Sequence, residues 1–151
     1  MDRFLTPDSD DDTFFLAVGI VRDWPFLVVV QQYNPSSSAG IRPGVVIVLE
    51  TSILMIGAGE RLLAYDLDAP RRLWQDKAEL GFWGWERHGQ LVVMSAELEL
   101  AAWDVHGNKK WSTYVEPPWT YPVERREVRL DVMGVKTSFP LEVGPQHHGE
   151  R

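Results

Sequence analysis

A pattern that recurs after 38 residues constrains this chain more than any other feature. Ile53 to Trp74 reads ILMIGAGERLLAYDLDAPRRLW, and Leu91 to Trp111 reads LVVMSAELELAAWDVHGNKKW. Ile53 matches Leu91, Met55 matches Val93, Ala58 matches Ala96, Leu62 matches Leu100, Ala64 matches Ala102, Tyr65 matches Trp103 and Asp66 matches Asp104. The offset falls to 37 at the closing tryptophans, Trp74 and Trp111, so the second copy has lost one residue in its last turn. A repeat of this period marks stacked supersecondary units that bury their apolar faces on one another.

Each copy runs through an apolar stretch, a small or polar break, a second apolar stretch ending in aromatic-Asp, a turn, and a basic strand closing in Trp. Ile53 to Ile56 is continuously apolar, as a strand buried on both faces should be. The Asp after the aromatic suits a turn because its carboxylate accepts from backbone N–H groups just ahead. Gly107-Asn108 and Ala69-Pro70 complete the two turns. Both copies therefore read as β-meanders.

These residues resemble the blade repeat of PQQ-type quinoproteins, similar in layout to the WD40 blade, whose motif runs Ala-x-Asp, two residues, Thr-Gly, a basic residue, then Trp. The first copy supplies Ala64, Asp66, Arg71 and Trp74 but has Ala69-Pro70 for Thr-Gly; the second supplies Ala102, Asp104, Gly107, Lys109 and Trp111 with one residue missing. The resemblance implies that Trp74 and Trp111 dock neighbouring sheets and that Asp66 and Asp104 are turn residues. It covers about sixty residues and says little of chemistry, since propellers host many functions.

A length of 151 residues suits one domain, and 44% hydrophobic residues with seven tryptophans provide its core. It is too short for a complete propeller, which takes at least about four blades of roughly 40 residues. The expected fold is thus all-β, with antiparallel meanders forming a partial propeller or a β-sandwich or barrel. The expected organisation is an acidic disordered N-terminus over 1–12, one domain over 13–144 with repeats at 53–74 and 91–111, and a disordered tail over 145–151.

Cysteine is absent, which removes disulfides and thiolate chemistry. The acidic start MDRFLTPDSDDDT lacks a signal-peptide pattern and no apolar run approaches the ~20 residues of a membrane span, so a cytoplasmic protein is expected. A formal charge of −7 argues against nucleic acid and suits a basic partner.

Along the chain, Asp8, Asp10, Asp11 and Asp12 lack the glycine and distal glutamate of a calcium loop and read as a solvated terminus. Phe14 to Val21 and Phe26 to Tyr33 read as a hairpin turning at Arg22 to Pro25. Asn34 to Gly44 is the longest loop, as consistent with a binding segment as with a tolerated insertion. Trp83 and Trp85, between the repeats, read either as inter-sheet packing or as an aromatic platform. Glu116 to Pro122, EPPWTYP, is stiffened by three prolines and is the first choice for an exposed recognition element through Glu116, Trp119 and Tyr121. Val123 to Arg129 reads as a solvated edge strand, and Leu130 to Val143 as a closing hairpin turning near Gly134.

The pairs Asp66 with Asp68 and Asp104 with His106 could share faces and converge on a metal, but the turn role is the simpler reading. His88 reads as a loop residue and His147-His148 as part of a frayed end. No P-loop, dinucleotide or zincin motif is present. No catalytic residue, metal or cofactor is assigned. The expectation is a non-catalytic protein-interaction module, in its acidity and small size resembling the style of bacterial immunity or antitoxin proteins. The alternatives are a small-ligand or carbohydrate-binding β-domain, or an enzyme built on one, using the aromatic surface, and a purely structural unit that self-associates.

Overall fold

The computed structural model describes residues 1–5, 11–20, 23–33 and 42–146, and every regular element among them is a β-strand. Sheet 1 contains β1 (Asp2–Phe4), β2 (Asp12–Val18) and β3 (Leu27–Tyr33) in the order β1-β3-β2. Sheet 2 is the meander β4 (Gly44–Val48), β5 (Ile53–Ala58), β6 (Arg61–Asp66) and β7 (Arg71–Lys77). Sheet 3 repeats it with β8 (Phe82–His88), β9 (Leu91–Ala96), β10 (Glu99–Asp104) and β11 (Lys109–Tyr114). Sheet 4 has β14 (Glu127–Val132) at its centre, β15 (Val135–Pro140) on one side, and β12 (Trp119–Thr120) and β13 (Val123–Glu124) in line on the other. The protein is all-β and dominated by antiparallel meanders; none of these sheets closes into a barrel.

The sheets stack in chain order, because the middle strands carry apolar side chains on both faces. Along β5, Leu54 and Ile56 pack toward sheet 1 while Ile53 and Met55 pack toward sheet 3. Along β9 and β10, Val92, Met94 and Trp103 face sheet 2, whereas Leu91, Val93 and Leu100 face sheet 4. Three cores result, one per sheet-to-sheet interface. Burying one such aliphatic side chain is worth roughly 1.5 to 3 kcal/mol, so strands buried on both faces carry much of the stability.

The length difference between the two repeats lies in one turn. Asp66 pairs with Arg71 across four residues, whereas the Asp104 amide donates to the Asn108 carbonyl (2.8 Å) across three. Both strand pairs then bulge by one residue, which leaves Trp74 opposite Ala64 and Trp111 opposite Ala102. The register of the tryptophans survives the deletion.

Sheet 4 proves to be a third, more degenerate copy. The amide following the third strand of each meander donates to the turn preceding the second: Leu67 to Ser52 (2.9 Å), Val105 to Gln90 (3.1 Å) and Leu141 to Arg126 (2.9 Å). Phe139 thus stands where Tyr65 and Trp103 stand. Pro140 replaces the turn Asp, which hid this copy from sequence comparison.

Four expectations are corrected. Asp2–Phe4, expected within a disordered terminus, form β1 and pair in parallel with β3. The Asp2 carboxylate accepts from Tyr65 Oη (2.8 Å) and Arg72 Nη1 (3.1 Å), and the Phe4 ring lies beneath the guanidinium groups of Arg61 and Arg72. The first hairpin is present, but β2 covers Asp12–Val18, starting before Phe14 and ending before Gly19. Val123 to Arg129 is not one edge strand: the chain reverses at Arg125-Arg126 (φ +50° and +64°) in the two-residue turn suited to a tight hairpin. His88, expected in a loop, is instead the last residue of strand β8. Residues 6–10, 21–22, 34–41 and 147–151, and with them Asp8, Asp10, Val21 and Arg22 of the expected first hairpin, most of the long loop, His147 and His148, lie outside the described residues.

Candidate functional site

Where an edge strand of sheet 3 and the β12–β13 edge of sheet 4 approach, they leave a groove of about 390 Å³. One wall is β8, which contributes Trp83, Glu86 and His88, with Ser95 beside it on β9; the other is the run Trp119 to Val123. Local sequence explains both walls. Between Phe82 and Gly84 the register of β8 slips, so Trp83 and Trp85, two residues apart, pack on opposite faces. Trp83 turns toward sheet 4, and beyond the slip Glu86 and His88 follow on that same face. On the opposite wall, Pro122 has no N–H for the ladder, and the strand breaks there into β12 and β13. The break sets Tyr121 at the mouth of the groove.

The floor is aromatic. Trp83 stacks on Trp119 with centroids 5.5 Å apart and planes within 7°, and Tyr121 leans on Trp119 at 5.7 Å. Trp119 Nε1 donates to the Glu97 carbonyl at 3.3 Å. Tyr121 Oη donates to Glu86 Oε2 at 3.1 Å, and His88 Nε2 lies 2.7 Å from Glu86 Oε1. Burial, and then the charge and hydrogen bond of Glu86, push the Tyr121 phenol above its ordinary value, so it stays protonated as a donor.

Three of the five expected partner-binding residues, Trp83, Trp119 and Tyr121, meet here. The other two do not. Trp85 lies on the far face, tilted against Phe82 (5.4 Å) and edge-on to Trp103 (5.8 Å), with its Nε1 donating to the Gly44 carbonyl. Glu116 is exposed away from the groove and accepts from Tyr114 Oη at 3.0 Å. The expectation that Trp119 is exposed is overturned: only 9% of it is accessible, because it fills the core between sheets 3 and 4. The three prolines hold the backbone around it while its ring points inward.

Trp74 and Trp111 lie between sheets. Trp74 Nε1 donates to the Gly107 carbonyl in the last turn of sheet 3 (2.8 Å), and Trp111 Nε1 donates to the Leu141 carbonyl in the equivalent turn of sheet 4 (2.7 Å). The carboxylates of Asp66 and Asp104 fold onto their own turns: Asp66 Oδ1 accepts from the Asp68 amide, and Asp104 Oδ1 from the amides of His106 and Asn108. They are spent on backbone rather than aimed at one another, and no group of three or more metal-ligating side chains forms among the described residues.

Glu86 is not singled out in the sequence, and His88 reads there as a loop residue rather than as part of a site. The signal was the alternation Trp83, Glu86, His88 across the Gly84 slip, legible only once the bulge is placed. A larger depression of about 800 Å³ opens beside Tyr33, Glu60 and Asp76. There Glu60 and Asp76 already pair with Lys77 and Lys109, so the aromatic groove is the stronger candidate.

No known protein family matches the chain, and no curated protein is similar to it. No helix among the described residues is long and apolar enough to cross a membrane.

Proposed function

We propose that this chain is a cytoplasmic, non-catalytic interaction module that holds a segment of another protein in the groove between β8 and the β12–β13 run. The observation that carries the reading is the convergence of Trp83, Trp119 and Tyr121 with the polar pair Glu86 and His88 in one open cleft. Rigid aromatics flanked by a few oriented polar groups are what binding hot spots use. In the same reading sheets 2 and 3 are two blades of the quinoprotein or WD40 type and sheet 4 is a third. The cross-sheet bonds of Trp74 and Trp111 support that kinship.

The test compares the wild-type chain with Glu86→Lys as bait in lysate of the source cells. A stoichiometric partner held by the wild type and lost by a folded Glu86→Lys supports the reading. A partner held equally by both moves the interaction elsewhere on the surface. Groove occupancy by sugars or other small neutral molecules, read by tryptophan fluorescence, would favour the ligand-binding alternative.

A further inference from the structure

We infer that the groove receives a cationic side chain, a lysine ammonium or arginine guanidinium, presented by an extended segment of the protein partner; this deepens, and rests on, the interaction reading above.

Among the residues lining the groove, Glu86 is the one carboxylate, and none is a lysine or arginine. Its carboxylate accepts from Tyr121 Oη and has His88 Nε2 2.7 Å from its other oxygen, yet its side chain remains 56% exposed. A carboxylate has about four lone-pair sites, so two such contacts leave acceptor capacity for an incoming donor. The chain's own cations nearby are engaged elsewhere. Arg87 projects from the opposite face of β8 to Glu50, Arg126 pairs with Glu142, and Arg129 lies within 3.7 Å of both Glu124 and Glu127. Among the described residues no lysine or arginine pairs with Glu86.

Aromatic rings complete the preference. Indole and phenol faces attract cations through their quadrupole, and Trp83, locked against Trp119, is presented without loss of rotamer freedom. An aromatic wall with a carboxylate at its end discriminates an alkylammonium from an alkyl chain of the same length, because only the former satisfies Glu86. The formal charge of −7 on the whole chain adds long-range attraction of the same sign.

The probes are N-α-acetyl-lysine methylamide and its uncharged counterpart N-α-acetyl-norleucine methylamide, titrated into the full chain while indole N–H resonances are followed by NMR, the Trp83 signal being identified by its loss in Trp83→Phe. The expected result is a saturable shift of the Trp83 signal by the lysine probe, with the norleucine probe about tenfold weaker or worse. Glu86→Gln should weaken the lysine probe about tenfold with an unchanged far-ultraviolet spectrum, and Glu86→Asp should recover part of the loss. A second measurement needs no variant: raising salt should weaken the lysine probe and leave any norleucine response unaltered. Equal binding of both probes, no saturable shift with lysine, or full lysine binding by Glu86→Gln each overturns the inference. If the lysine probe fails while Glu86→Lys still loses a partner, the cation site is wrong and the interaction reading stands; if the lysine probe binds but no partner is found, the reverse holds.

Discussion

The indole of Trp74 stacks on that of Trp103 across the interface between sheets 2 and 3, with centroids 5.4 Å apart and planes 15° apart. In the next interface Trp111 meets Phe139 edge-on at 5.1 Å. The outer tryptophan of one meander thus contacts the aromatic of the next and also donates to a carbonyl in that meander's last turn. Trp111→Ala, at a buried site, should cost about 3 to 5 kcal/mol, and Trp74→Ala somewhat less because that ring is only half-buried. Trp74→Phe keeps most of the packing and should cost about 1 kcal/mol for the lost hydrogen bond plus the unpaired Gly107 carbonyl. Urea unfolding of the three variants measures these differences. Near-wild-type midpoints for both alanine variants would remove the tryptophans from any docking role.

The turn that receives Trp111 leaves no room for a side chain. At Gly144 (φ +83°) an added Cβ would lie 2.4 Å from Trp111 Cγ. Gly134 has a similar φ of +88° but open space around it. Gly134→Ala should therefore cost only the left-handed strain, about 1 to 2 kcal/mol, while Gly144→Ala pays that strain and also displaces the indole. Thermal melting of the two variants side by side isolates the steric part. Equal losses would mean that the Trp111 contact adjusts freely.

The fold class was legible in the sequence because apolar runs such as Ile53 to Ile56 and Leu91 to Met94 are short, closely bounded by turn residues and recur in a repeat, which favours strands covered on both faces over helices. The 38-residue offset likewise located two of the meanders. The third was hidden, because Pro140 stands in the place of Asp66 and Asp104 and only the hydrogen bond from Leu141 to Arg126 identifies it. At the site, side-chain direction was the illegible quantity. Trp83 and Trp85 look equivalent until the slip at Gly84 sends them to opposite faces, and Trp119 looks exposed within a proline-rich run until sheet 4 is placed over sheet 3. Tertiary packing, not composition, decided both.

The buried position of Trp119 reverses what its sequence context implies. Trp119→Ala should destabilise by about 3 kcal/mol or more, since it removes a ring held by Trp83, Tyr121 and the Glu97 carbonyl. Glu116→Ala, at an exposed position three residues earlier, should stay within about 0.5 kcal/mol of wild type. Chemical denaturation of both variants distinguishes a core tryptophan from a surface one. A Trp119→Ala variant as stable as the wild type would return the residue to the surface.

Glu99 gives the fold a pH dependence of definite sign. It is 8% exposed, and burial raises its carboxyl above the 4.5 of an unperturbed group, an effect opposed by Lys109, whose Nζ lies 3.8 Å away, and by the Glu79 amide. A native pKa above the unfolded one means that the native state binds more protons in the interval between the two. Its contribution is then fully present below about pH 4.5 and is lost as pH rises through the native value. Glu99→Gln mimics the protonated form and removes that slope. The stability difference between Glu99→Gln and wild type should accordingly move in favour of the variant as pH is raised from 4 toward neutrality, while the pairing of Lys109 with Asp76 at 3.1 Å persists. Denaturation midpoints of the two proteins across that range provide the measurement. A difference that moves the other way would show that the ion pair with Lys109 outweighs burial and that Glu99 is held ionised.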